Sequence, residues 1–178
     1  MRVIAGLRKG LKLKSPEGLG TRPTTDRVKE SLFNLIQFHF PTQRALDLFA
    51  GSGALGLEAL SRGTAYCDFV DSGRDAVTLV KENLSAARFE GQAGVHQMDA
   101  QSFLSQASAP YDVIFLDPPY NKGMLEPVIK VIAEQNLLKD GGILVAETER
   151  GGEPVPDTYY SVKKSVAYGK TVITILQR

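Results

Sequence analysis

Residues 45–60 read Ala-Leu-Asp-Leu-Phe-Ala-Gly-Ser-Gly-Ala-Leu-Gly-Leu-Glu-Ala-Leu, and this order decides the fold. Residues 45–49 are apolar except for Asp47, the pattern of a strand covered on both faces. Gly51, Gly53 and Gly56 predict a turn with little side chain, and residues 54–60 are good helix formers. Strand, glycine turn and helix open a βαβ unit, whose crevice at the carboxyl end of the strand binds nucleotides. Glycine lets backbone approach a ligand closely, and the helix start offers free N–H groups. The spacing Gly-x-Gly-x-x-Gly by itself also serves plain helix packing. Asp47 adds what the glycines lack, because an acid near the end of a buried strand is costly to desolvate and is expected to serve a ligand. At that mouth it can accept from the ammonium group of an amino-acid-like cofactor, directly or through water. A dinucleotide pyrophosphate would be repelled. The stretch therefore favours S-adenosylmethionine over NAD.

Two more acids follow at predicted strand ends. Residues 66–70 read as a strand ending in Asp71, which stands 20 positions after Gly51, the spacing at which a carboxylate meets a ribose hydroxyl pair. A helix over 75–87 turns Ala76, Val77, Val80 and Leu84 inward, and residues 94–98 give a third strand running into Asp99 and Ala100. Asp99 there can accept from an adenine amino group, although each of these acids could also cap a following helix.

The fourth strand, residues 111–116, runs straight into Asp117-Pro118-Pro119-Tyr120. Two prolines fix the backbone and remove two donors, so nearby carbonyls face outward as free acceptors. Together with the Asp117 carboxylate they can hold a planar amino group by both protons, and Tyr120 offers a ring on which a base stacks. An exocyclic amine is a poor nucleophile because its lone pair is delocalised into the base. Acceptors that bend it out of conjugation recover that lone pair for attack on a sulfonium methyl. Placement supplies most of the help, and positive charge developing on nitrogen is favoured beside Asp117. The plain reading of Pro-Pro after a strand is a rigid turn.

Outward from these two stretches, residues 122–138 read as a helix with Leu125, Val128, Ile129, Ile132 and Leu137 inward. Gly141-Gly142 is expected to turn into a fifth strand over 143–147, and residues 159–168 and 171–176 to form an antiparallel pair turning at Gly169-Lys170. Gly169-Lys170-Thr171 is not a phosphate loop, because Lys164 stands where that motif needs glycine. Ahead of the central strand, residues 2–6 and 11–14 predict a hairpin turning at Lys9-Gly10. A helix then starts at Thr24 or Thr25 and carries Val28, Leu32, Leu35, Ile36 and Phe40 on one stripe until Pro41.

With 178 residues the chain suits one α/β domain, residues 1–40 being a basic hairpin-and-helix extension of the domain over 41–178. It holds one cysteine, Cys67, read as a small buried hydrophobe, so no disulfide framework or cysteine zinc site is expected, and no metal. No apolar run is long enough to span a bilayer, and the start lacks a signal peptide's apolar segment, which predicts a cytoplasmic protein. The net charge of +1 hides an asymmetry: residues 1–29 carry eight Lys/Arg against Glu17 and Asp26. A basic arm beside an acidic nucleotide domain suggests a grip on phosphates, with Arg8, Lys9, Lys12, Arg22 and Arg27 as the contacts; a solvated surface is the alternative.

The blocks at 22–34 (Arg-Pro-Thr-Thr-Asp-Arg-Val-Lys-Glu-Ser-Leu-Phe-Asn) and 47–63, with Asp117-Pro118-Pro119-Tyr120, closely resemble the bacterial RsmD family of class I S-adenosylmethionine-dependent methyltransferases. The resemblance covers nearly the whole chain. It implies guanine-N2 methylation of 16S ribosomal RNA at guanine 966, on a small ribosomal subunit or its assembly intermediate, by a monomer. It also implies a Rossmann-like seven-stranded, mostly parallel sheet with helices on both faces and an antiparallel last pair. Carried over by position, Asp47, Gly51 and Gly53, with Phe49 beside them, would line the methionine part of the cofactor. Asp71 would hold the ribose, and Asp99 with Ala100 the adenine. Asp117 and the Pro118 carbonyl would hold the guanine amino group, with Tyr120 stacking. Three other readings compete. An adenine-N6 methyltransferase shares the tetrad, but the chain carries no target-recognition domain. An NAD oxidoreductase leaves Asp47 and the tetrad unexplained, and a non-catalytic RNA-binding module leaves every chemical position filled without use.

Overall fold

The computed structural model describes residues 1–15, 26–119, 123–154 and 159–178. Its centre is a seven-stranded sheet in the order β3-β2-β1-β4-β5-β7-β6. The strands are β1 (Arg44–Asp47), β2 (Tyr66–Asp71), β3 (Ala93–Gln97), β4 (Tyr111–Leu116), β5 (Leu138–Glu149), β6 (Ser161–Tyr168) and β7 (Thr171–Gln177). The first five pair in parallel, while β7 runs antiparallel to both β5 and β6. Parallel strands need crossover helices, and these cover both faces. Side chains alternate accordingly: Ala45, Phe69, Val113, Phe115 and Val145 join α1 (Asp26–Leu35), α2 (Ala54–Ser61) and α3 (Arg74–Ala87) in one core. Leu46, Val70, Ile114, Leu116 and Leu144 join α4 (Ala100–Gln106) and α5 (Leu125–Glu134) in the other. Cys67 is buried, as its neighbours suggested.

The expected Rossmann-like class holds, with four corrections to its parts. The N-terminal hairpin is short: Arg2 and Lys12 form an antiparallel bridge, flanked by bonds from the Val3 amide to the Leu11 carbonyl and from the Leu13 amide to the Met1 carbonyl, both 2.9 Å, and a 3-10 turn over Gly6–Arg8 widens the turn expected at Lys9-Gly10. The reason lies in α2. Gly6, at φ +79, rests on the end of that helix so closely that a Cβ would lie 1.8 Å from the Ser61 carbonyl oxygen. Second, α1 stops at Leu35, and a 3-10 turn over Gln37–His39 leads to Pro41, whose ring disfavours helix in the residue before it. Leu32 and Ile36 of the predicted stripe are buried; Phe33 and Lys29, off that stripe, are buried equally. Third, α5 is shorter than expected. Fourth, β5 is longer, because Gly141 and Gly142 bend the strand rather than precede it; a Cβ on Gly142 would lie 2.9 Å from the Asp112 carbonyl oxygen.

Glu58, in the middle of α2, is fully buried and ties the arm to the domain. Its carboxylate accepts from the Ile4 and Ala5 amides at 2.7 and 3.0 Å and from Arg62 Nε at 2.9 Å. It also pairs with the fully buried Lys29 ammonium of α1 at 3.3 Å. Lys29 donates as well to the Arg2 carbonyl at 2.6 Å. Burial pulls the Lys29 ammonium below its ordinary value, and the Glu58 carboxylate opposes that. Every charge in the group has a partner, the condition under which buried ions are tolerated. Glu58→Ala leaves Lys29 unpaired and two amides unsatisfied, so we expect a loss of about 3–5 kcal/mol in urea unfolding. A loss under about 1 kcal/mol would mean that the pair is not buried in solution.

Candidate active site

Strand order reverses between β1 and β4, so the loops after these strands diverge and leave a crevice at their carboxyl ends. The parallel neighbours β3, β2, β1 and β4 end on one edge of the sheet. Along that edge follow, in space, Asp99, Asp71, the glycine turn after β1, and Asp117. Chain topology thus gathers acids that are far apart in sequence.

The turn itself is hung from carboxylates. Asp47 is buried, and its Oδ2 accepts from the Gly56 amide at 2.9 Å. Asp71 accepts from the Gly51 amide at 2.9 Å and, through its other oxygen, from the Gly73 amide at 2.8 Å. A carboxylate offers about four acceptor sites, so these bonds leave Asp71 capacity for a diol. The three glycines divide their work. Gly51, at φ +54, has nothing within 4 Å of where a Cβ would stand, so the space over it is open to a ligand. Gly53, at φ +78, caps α2 in a left-handed conformation. Gly56 faces inward, where a Cβ would lie 2.3 Å from the Phe69 ring, so its role is close helix–strand packing.

Phe49 is half-buried beside the turn, and Ala100 is buried at the start of α4. Asp99 caps α4, accepting from the Ser102 hydroxyl at 2.6 Å and amide at 2.9 Å, and these bonds hold its carboxyl below the usual range. The capping role that the sequence allowed is present, on an exposed side chain with acceptor capacity left over. Asp117 directly follows β4, half-buried, with Pro118 buried and Pro119 exposed. Tyr120 lies outside the described residues. Lys9, Lys12 and Arg27 are exposed. Arg8 is partly buried, donating to the Ala87 carbonyl and standing 5.3 Å over the Phe89 ring, so the fold already uses this cation to fasten the arm. Arg22 lies outside the described residues. Among those described, no group of acids, histidines and cysteines could hold a metal, and no helix is long and apolar enough to cross a membrane.

Two groups escaped the sequence reading. Glu58 carries a signal, being the one charged residue within Ala54–Ser61. Asn83 carries none: it sits in an amphipathic helix, yet is buried and bonded to the glycine turn through Ser52.

Burial, and secondarily the nearby Asp71, pushes the Asp47 carboxyl up to about 7 against the pull of the Gly56 amide. The folded chain therefore keeps a proton that the unfolded chain loses from pH 3.8 upward, and stability falls as pH rises through that window. Asp47→Asn removes this loss. Between those two pH values the wild type should lose up to about 1.4 kcal/mol per pH unit relative to the variant. Parallel stability curves would mean that Asp47 ionises normally.

Comparison with known proteins agrees with this architecture. A family model described as conserved hypothetical protein 95 matches residues 1–177. The Bacillus subtilis protein YlbH is 43% identical over 183 residues, covering 100% of this chain and 99% of its own. Ribosomal RNA small subunit methyltransferase D of Escherichia coli K12 is 37% identical over 179 residues, covering 100% and 90%. A solved structure of the Escherichia coli protein yhhF superposes with a TM-score of 0.88 at 37% identity, covering 100% of this chain and 97% of that one. With the crevice at the strand reversal, the open glycine turn and these full-length likenesses, the chain belongs to the RsmD family of methyltransferases, described as conserved hypothetical protein 95.

Proposed function

We propose that the protein transfers a methyl group from S-adenosylmethionine to the exocyclic N2 of a guanine in 16S ribosomal RNA, at guanine 966, within the small ribosomal subunit or its assembly intermediate. The observation that carries this reading is the position of Asp117-Pro118 at the tip of β4, directly across the strand reversal from the open glycine turn. A methyl donor over Gly51 and an amine at Asp117 would face each other across that crevice.

The residues present suit such a donor. Open space over Gly51 admits its backbone-like part, the Asp71 carboxylate beside the turn favours an ammonium-bearing ligand, and Asp47, bonded to the Gly56 amide, holds the turn in place. Asp71 has acceptors left for ribose hydroxyls, and Asp99 for an adenine amine. The cofactor supplies a methyl on a good leaving group, so the chain's task is placement. The Asp117 carboxylate and the Pro118 carbonyl accept from the two amino protons of the base and bend the amine out of conjugation. The Asp117 carboxylate also favours the positive charge that grows on nitrogen as it takes the methyl. Tyr120 stacks on the base, which must leave its own stack to enter. Lys9, Lys12, Arg22 and Arg27 would hold phosphates around it, with Arg8 fastening the arm from which they act.

The deciding experiment is labelled methyl transfer to small subunits from a strain without this activity, followed by mapping of the modified nucleotide. We expect label on guanine N2; label on adenine N6, or only on DNA, would reject the assignment in favour of the adenine reading. Asp117→Ala should abolish turnover, a drop of about 10²-fold or more, while calorimetry with S-adenosylhomocysteine stays within a few-fold of wild type. A large loss of cofactor affinity would move Asp117 out of this role. Charge reversal at both Lys9 and Lys12 should weaken RNA binding and flatten its dependence on salt by about one unit of slope per lost phosphate contact. Unchanged binding would return these lysines to solvated surface.

A further inference from the structure

Asn83 of α3 is 1% exposed and makes three hydrogen bonds that join two separate parts of the site. Its Nδ2 donates to the Ser52 carbonyl of the glycine turn at 2.9 Å and to the Lys14 carbonyl of the basic arm at 3.0 Å. Its Oδ1 accepts from the Lys14 amide at 2.8 Å. One donor amide and two acceptor carbonyls leave a single sensible orientation for the side chain, with every polar atom satisfied. The two backbone segments meet at this one side-chain amide. Ser52 stands between Gly51 and Gly53, where the cofactor is proposed to lie. Lys14 follows Lys12 and Leu13 in the basic arm.

We infer that Asn83 is a positioning residue that makes cofactor and RNA binding interdependent, by holding the glycine turn and the basic arm through one buried amide. The inference rests on the function proposed above. A ligand settled on the turn fixes the Ser52 carbonyl and, through Asn83, the backbone on both sides of Lys14. RNA then meets an arm already ordered and loses less freedom on binding. Linkage is reciprocal, so RNA on the arm must tighten the cofactor by the same factor. The exposed contact beside it, Lys14 with Glu82 at 3.0 Å, is screened by solvent and cannot substitute. Removing the donor leaves the Ser52 carbonyl unsatisfied in a buried position and the Lys14 carbonyl without its link to the turn.

The test measures the affinity of small ribosomal subunits for the protein with and without saturating S-adenosylhomocysteine. Wild type should bind at least about fivefold more tightly with the cofactor product present. Asn83→Asp keeps the size and the acceptor but loses both donations, and its ratio should fall to about one. Leu104→Val, on the opposite face of the sheet, is the control for lost stability and should keep the wild-type ratio. A second measurement needs no variant: hydrogen exchange at the Lys14 amide, which Asn83 accepts, should slow several-fold when S-adenosylhomocysteine binds wild type. Wild type that binds both ligands without linkage, an Asn83→Asp protein that keeps the ratio, or unchanged Lys14 exchange would each overturn the clamp while leaving the proposed function standing. Wild type that binds neither ligand would overturn the function beneath it.

Discussion

The structure depends on how the turn after β1 is suspended. Three side chains from three elements hold three residues of backbone: Asp47 through Gly56, Asp71 through Gly51, and Asn83 through Ser52. A glycine turn is the most entropically expensive backbone to order. Here that cost is met by buried hydrogen bonds to groups which are themselves fixed by strands and a helix. The result is a turn whose outer surface is open while its inner surface is fully bonded. Such a surface is largely formed before a ligand arrives, and preorganisation of this kind is what a reaction limited by placement needs.

The same economy extends to the arm. Arg2, Lys9, Lys12 and Lys14 are exposed, but the Ile4, Ala5 and Arg8 amides donate inward to Glu58 and Ser61, and Val3 and Leu13 enter the main core. An arm that only dangled beside the domain could hold phosphates but could not set their position relative to the crevice. Burying Lys29 against Glu58 links α1, the arm and the cofactor helix in one charged knot, so displacement of any one strands a buried charge. Placement of the arm therefore follows from electrostatics in the core as much as from apolar packing.

Much of this was legible in residues 45–60 and 111–120, because strand-turn-helix punctuation and a strand-end proline pair are local signals. The sheet's parallel part and the gathering of acids on one edge follow from that punctuation with βαβ rules, while the antiparallel last pair is read from alternation at 159–168 and 171–176. What sequence left hidden depends on long-range contact. The hairpin is shorter than alternation at residues 2–6 and 11–14 suggests, because the Ile4, Ala5 and Arg8 amides are claimed by Glu58 and Ser61 of a helix some 50 residues later. Asp47, expected to reach a ligand, spends one oxygen on the turn's own helix. Lys29, one of the eight basic residues counted over 1–29, is buried. Asn83 gave no sign at all, since nothing in a helical pattern distinguishes a polar residue at its boundary from a clamp.

The central claim is that the open face of this turn and the proline corner after β4 address one another across the strand reversal. A crystal structure with S-adenosylhomocysteine and a guanine nucleotide tests it most directly. The account predicts the cofactor over Gly51, its sulfur turned toward the Asp117 carboxylate and the Pro118 carbonyl, with the guanine amine held between them. A cofactor lodged elsewhere, or a corner facing away from the sulfur and closed to solvent, would contradict it.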